Sequence, residues 1–303
     1  MYAPVLKHRS RPFRAARDIL LIAGLVFFSA DRAAAEEGAS EDARPLATLR
    51  AYLPEHYIAA YKDRDVLTLV NNGEESAFAM IHGANVGDKT AQGDRKTPEG
   101  VYFITKKISY PLDPVEYGVH AFATDYPNPV DKLRGKTGSG IWIHSKGYPI
   151  AGKTTRGCLA VGAEDIETLV PELTVGTPVM IFGSTENDGP EDAAACETLT
   201  DHSRAWAKMC AAADAGLSDL YDRGRFKKAM GKRWIDHSRF VRSGEDAPAE
   251  DAPLPVRVLK GTGYSVSVFD MPLRGGGTEK VRLYWLDSGD GWKIVGESFA
   301  AAG

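Results

Sequence analysis

Cys158 stands in the run Thr154-Thr155-Arg156-Gly157-Cys158-Leu159-Ala160-Val161, fourteen residues after His144, which closes the apolar run Ile141-Trp142-Ile143. A thiol becomes a catalyst when a base takes its proton, a positive field favours the thiolate and N–H groups await an oxyanion. This window offers all three. His144, at the end of a strand and so held at the rim of a sheet, is the candidate base. Arg156 would lower the thiol pKa and could hold a substrate carboxylate. Gly157 lets the backbone pass close to a substrate, so that the N–H groups of Gly157 and Cys158 could face the oxyanion. On chemistry alone, a structural histidine and a structural cysteine remain the plainer reading.

The cysteine count points the same way. Cys158, Cys196 and Cys210 make an odd set, which leaves one thiol unpaired in an exported protein. If one continuous helix carries Cys196 and Cys210, a rise of 1.5 Å per residue sets them about 21 Å apart, too far for a bridge. His82, His120 and His202 show no metal-ligand spacing, and no metal or organic cofactor is expected.

Several elements must position these residues. Val66 to Val70, the turn Asn71-Asn72-Gly73-Glu74 and Ser76 to Ile81 form a hairpin signal. Val101 to Thr105, Gly140 to His144 and Val179 to Phe182 are further strands, and Ala163 to Leu169 a short helix. Many short strands with turn signals predict a mostly-β domain over residues 64–184. Residues 36–63 are assigned to an N-terminal lead-in and 185–195 to a linker. From 196 to 303 the chain starts helical, with Trp206, Met209, Cys210, Ala213, Leu217 and Leu220 on one face as core. It continues in alternating strands, an α+β pattern.

The chain has 303 residues and a formal net charge of −4, which argues against a nucleic-acid partner. Lys7, Arg9, Arg11, Arg14 and Arg17 precede an apolar run from Ile19 to Ala30, and Ala33-Ala34-Ala35 follows with Glu36. Residues 1–35 have the form of a secretory signal peptide. The alternative is an uncleaved anchor, which would be the chain's one membrane association; a comfortable span needs about 20 apolar residues. Either form places the body outside the cytosol, in the periplasm. Removing residues 1–35 takes away six Lys/Arg and two Asp/Glu and leaves a charge of −8.

Thr155-Arg156-Gly157-Cys158 after His144, Gly87-Asp88, the stretch from Gly93-Asp94 through Thr97-Pro98-Glu99-Gly100, and Val175-Gly176-Thr177-Pro178 together resemble the YkuD-type L,D-transpeptidase family. The resemblance covers about residues 64–183. It implies Cys158 as nucleophile, His144 as base, the Ser145 backbone carbonyl orienting His144 and the Gly157 N–H at the oxyanion. Arg156 and Thr155 would bind substrate; Tyr117 and His82 would line the groove, with packing as the alternative. Two departures stand out: Ser145 replaces the family's usual glycine, and Arg156 a usual histidine. With Tyr126-Pro127-Asn128, Asp131 and Thr137-Gly138, the arginine resembles the YafK-like branch.

The implied reaction is attack on the carbonyl at the L-centre of diaminopimelate in a peptidoglycan tetrapeptide stem, with loss of D-alanine and a thioester on Cys158. An amine resolves the thioester in a transpeptidase, water in an L,D-carboxypeptidase. The C-terminal pattern resembles the cone of nuclear-transport-factor/SnoaL-like domains, which implies a binding or homodimerising role. A non-catalytic wall-binding protein is the rival reading from another class.

Overall fold

The computed structural model describes residues 46–108, 111–185, 190–231, 236–240 and 254–301. The signal-peptide reading of residues 1–35 lies outside them. Eight strands close a barrel: β1 (His56–Tyr61), β2 (Val66–Asn71), β3 (Glu74–Ile81), β4 (Gly100–Lys107), β5 (Ala121–Thr124), β6 (Trp142–Ser145), β7 (Leu159–Val161) and β8 (Pro178–Phe182). Their order around the ring is β1-β2-β3-β7-β6-β5-β4-β8. Three short helices punctuate them: α1 (Pro114–Tyr117), α2 (Pro129–Leu133) and α3 (Ala163–Leu169). The β6–β7 and β1–β8 pairs are parallel.

The hairpin of β2 and β3 turns on Asn72 (φ 51°) and Gly73 (φ 84°), with Asn71 opposite Glu74. Positive φ at both central residues matches the right-handed twist of the strands. β1 falls in the stretch assigned to the lead-in. Five of its six residues are buried, so no polar–apolar alternation marks it. Ile58 and Ala60 enter one core, Tyr57, Ala59 and Tyr61 another.

That division runs around the barrel. Ile58, Leu67, Phe78, Met80, Tyr102, Phe122, Ile143, Leu159 and Ile181 fill the interior, joined by Ile166 and Leu169 of α3. Each such side chain contributes about 1.5–3 kcal/mol by leaving water. Val101, Phe103 and Met180 belong with the C-terminal half instead.

The C-terminal half consists of α4 (Pro190–Ala211), a 3-10 turn (Ala215–Leu220), α5 (Arg223–Met230) and β9 (Arg257–Gly261), β10 (Tyr264–Pro272), β11 (Thr278–Asp287) and β12 (Trp292–Ala301). The sheet is antiparallel in the order β12-β11-β10-β9. α4 begins inside the stretch assigned to the linker. Proline at its first position and acidic Glu191 and Asp192 beside it suit a helix start. Cys196 and Cys210 both ride on α4, buried and unbridged, as the rise per residue requires.

The two halves are bonded as well as packed, and residues from Pro45 onward make one compact unit. The Tyr264 hydroxyl on β10 accepts the Val101 N–H at 2.8 Å and Asn128 Nδ2 at 2.7 Å. The Arg282 guanidinium lies 3.8 Å from the centre of the Phe103 ring, and Asp125 accepts the Phe103 N–H at 2.9 Å. The outer face of β1, β4 and β8 is thereby covered. The outer face of β5, β6 and β7 carries the candidate site.

Candidate active site

The register of the parallel pair sets the geometry. Ile143 lies opposite Leu159 and His144 opposite Ala160. Ile143 and Leu159 point into the barrel core. Side chains alternate along a strand, so their neighbours His144 and Cys158 share the outer face. Cys158 immediately precedes β7, and its Sγ donates to the Gly140 carbonyl at 3.4 Å.

His144 is 1% exposed, and its Nδ1 lies 2.6 Å from the Ser145 carbonyl oxygen. A carbonyl only accepts, so Nδ1 carries the proton and Nε2 keeps its lone pair. Burial, reinforced by the Lys146 charge, pushes the imidazole down to about 4 against the Ser145 bond and Glu116. The ring is therefore neutral near pH 7 and able to take a proton at Nε2. Tyr117 covers it, with ring centres 5.2 Å apart, and packs on Trp142 at 5.3 Å. Gly118 beside it has φ 60°, and a Cβ there would stand 2.0 Å from Ser145 Oγ, so only glycine lets α1 press on β6.

Burial pushes the Cys158 thiol up, while the Trp142 N–H and the charges of Lys146 and Lys89 pull it back. The expectation that Arg156 lowers the thiol pKa is corrected here. Arg156 is exposed, and its charge acts on Glu116. Lys146 and Lys89, 5% and 4% exposed, are the charges that act on the thiol. Lys146 is paired with Glu116 at 2.8 Å and Lys89 with Asp94 at 2.7 Å. Asp94 also accepts the N–H groups of Thr90, Ala91 and Lys96 and so caps its own turn.

Thr155 and Gly157 have other duties than those expected. The Thr155 hydroxyl donates to the Cys158 carbonyl at 2.7 Å and accepts the Gly157 N–H at 3.0 Å. Thr155 is buried and staples the nucleophile loop. The Gly157 N–H is engaged there and is not presented to an oxyanion. Gly157 has φ 138°, and a Cβ would stand 2.8 Å from the Lys96 carbonyl, so glycine permits close packing of the loop. Thr97 completes the strap by donating to the Gly157 carbonyl at 2.9 Å while accepting the Gly83 N–H at 2.9 Å.

His82 does not line a groove with its ring. Nδ1 lies 3.1 Å from the Gly83 carbonyl, and Nε2 3.1 Å from the Lys62 carbonyl and 3.2 Å from Asp65. Its own carbonyl accepts the Thr155 N–H at 2.8 Å. The structure thus brings His144, Ser145, Cys158 and Tyr117 together, sets Arg156 at the rim and gives Thr155, Gly157 and His82 to the scaffold.

Lys146 and Glu116 are absent from the motifs. Lys146 directly follows β6, two residues past His144, a position that period-2 counting along the strand would single out. Glu116 lies in a connection with no such signal. Among the described residues no three His, Cys, Asp or Glu side chains cluster to hold a metal ion, and no helix is long and apolar enough to cross a membrane. A neutral imidazole and a thiol on one face are equipped for nucleophilic acyl transfer with general-base help.

Comparison with known proteins agrees with this geometry. Residues 55–181 match the family model described as the YkuD L,D-transpeptidase catalytic domain. No curated protein matches the chain. Among solved structures, Bd1075 of Bdellovibrio bacteriovorus is 23% identical with a TM-score of 0.59, covering 84% of this chain and 94% of that one. The helical cell shape determining protein Pgp2 of Campylobacter jejuni is 24% identical with a TM-score of 0.52, covering 86% of this chain and 100% of that one. Both likenesses are of fold, and both extend through the C-terminal half.

Proposed function

We propose that the L,D-transpeptidase-type domain of residues 55–181 acts on peptidoglycan tetrapeptide stems, with Cys158 as nucleophile and His144 as base. The observation that carries the reading is the neutral imidazole, anchored by Nδ1 on the Ser145 carbonyl and sharing a face with Cys158. Nε2 takes the thiol proton as Sγ attacks the carbonyl at the L-centre of diaminopimelate. With the Gly157 N–H engaged by Thr155, the N–H of Cys158 itself is assigned to the oxyanion. The tetrahedral adduct collapses, the C–N bond breaks, the imidazolium returns its proton to the leaving D-alanine amine and a thioester remains. His144 then deprotonates the second nucleophile.

An amine of another stem as that nucleophile makes a transpeptidase, the family's activity and the first reading. Water makes an L,D-carboxypeptidase, the second reading; a role in cell shape is proposed beside it, in keeping with the fold likeness over most of the chain to a helical cell shape determining protein. The reading places the protein in the periplasm, exported by residues 1–35. It also assigns the helix-and-meander half, compared here to a YafK-like subgroup's SnoaL-like cone, to binding or dimerisation. Purified protein incubated with tetrapeptide muropeptides is the test. Cross-linked dimers support the first reading, tripeptide monomers alone the second, and unchanged tetrapeptide, or equal turnover by Cys158→Ala, refutes both.

A further inference from the structure

Lys146 is an ammonium removed almost entirely from water, 5% exposed, beside the catalytic histidine. Leaving such a charge uncompensated would be costly, so it needs a carboxylate. The carboxylate it has is Glu116, whose side chain is 55% exposed and rides on α1, a helix of four residues. α1 is held to β6 and its sequel by the Gly147 N–H bond to the Val115 carbonyl at 3.1 Å and by the Tyr117 and Gly118 contacts. The charges around Glu116 define a place. Lys146 bonds it and the Arg156 field reaches it. Lys146 in turn acts on both His144 and Cys158, and Glu116 on His144. A carboxylate thus already sits on a buried cation beside the nucleophile and base.

In the reaction proposed above, the residue beyond the attacked carbonyl carries the stem's free carboxylate. Two bonds of the main chain separate its nitrogen from the carboxyl carbon, so that carboxylate lies about 4 Å from the attacked carbon. We propose that Lys146 and Arg156 form the receptor for the carboxylate of the departing residue, and that Glu116 occupies the receptor until substrate displaces it. Exchange of one carboxylate for another keeps the buried ammonium paired throughout. Glu116, already half in solvent, gives up its place at little desolvation cost. The consequence is exopeptidase selectivity: a stem whose terminal carboxyl is amidated or extended cannot replace Glu116 and is rejected. The inference rests on the proposed activity and adds the residues that choose the substrate's end.

The test uses the full chain and two synthetic donor stems, one with a free C-terminal carboxylate and one with the C-terminal amide. Charge-assisted hydrogen bonds contribute about 1.5–3 kcal/mol, about 10- to 150-fold in kcat/KM. The wild type is expected to prefer the acid by that factor. Lys146→Met should erase the preference, bringing acid and amide to equal kcat/KM, with the loss on the acid falling chiefly on KM. Lys146→Arg, which keeps the charge, should retain much of it. Glu116→Gln should lower KM for the acid, since a competitor is weakened. Equal wild-type turnover of acid and amide would overturn the inference while leaving the proposed activity standing. So would Glu116→Gln raising KM as Lys146→Met does, the mark of a merely structural ion pair. Absence of wild-type turnover on both stems would remove the proposed activity itself, and this inference with it.

Discussion

Cysteine–histidine sites can rest as a thiolate–imidazolium pair or as a neutral thiol and imidazole, and this structure selects the second. His144 is held down to about 4 by burial and the Lys146 charge. Against an ordinary value of about 6.5, that disfavours the imidazolium by about 3 kcal/mol. Burial raises the thiol of Cys158 at the same time. Both shifts oppose the ion pair, so the thiolate forms as the substrate is attacked. The perturbation is a pH titration of Cys158 alkylation by iodoacetamide in the free enzyme, read by mass spectrometry. The rate should climb continuously from pH 5 to beyond pH 8.5, following the thiol's own ionisation. His144→Ala should change that rate by less than about threefold, because no resting ion pair is lost. Turnover of muropeptides by the same variant should fall by about 100- to 10,000-fold, the usual worth of a general base. A rate that is already flat between pH 5 and 7, with an inflection near pH 4 that His144→Ala abolishes, would refute the reasoning.

Other outcomes follow from the same structure. Native protein should be alkylated at Cys158 well before Cys196 and Cys210, which are 3% and 1% exposed, and burial pushes the Cys210 thiol up to about 12; equal labelling before unfolding would contradict this. Thr155→Val removes two hydrogen bonds of the nucleophile loop and should cost about 1–3 kcal/mol in urea unfolding and at least tenfold in kcat; an unchanged kcat would deny the staple its role. The carboxyl of Asp125 is raised by burial to about 6, above its unfolded value, so its stabilising share is present at low pH and lost as pH rises through 6. Asp125→Asn should therefore raise stability at pH 7.5 by up to about 3 kcal/mol and leave it nearly unchanged at pH 3.5, below the unfolded value; the same gain at both pH values would contradict the coupling.

The hairpin, the strand ending on His144, the helix Ala163–Leu169 and the C-terminal meander were legible because each has a local cause. Asn72-Gly73 accepts positive φ, and strands with one solvated face show alternation. β1 was not legible, because a strand buried on both faces has no polar side to alternate with. Within the site, Cys158 and His144, the proposed nucleophile and base, are visible as residue types at strand ends. What Thr155, Gly157 and His82 do is not, because a hydroxyl, an N–H or a ring can serve a substrate or a loop equally well until the fold supplies the partner. Arg156 illustrates the same limit with charge. Adjacency in sequence suggested it governs the thiol, but the fold brings the charges of Lys146 and Lys89, both from distant connections, to act there instead.

His144 and the strand that Cys158 leads into are held by one parallel ladder, in which Ile143 lies opposite Leu159 and His144 opposite Ala160, rather than by the chain between them. The intervening segment crosses exposed Ala151 and Gly152, far from any ladder bond. Covalent continuity at that point is consequently dispensable to the site. New termini opened between Ala151 and Gly152 would leave the two rungs paired, and the same position is where an inserted peptide of foreign length can be housed beside a working nucleophile. The proposed pair is thus insulated from changes at the tip of its connecting loop, while the stretch from Thr155 onward stays tied to Cys158 by the Thr155 bonds.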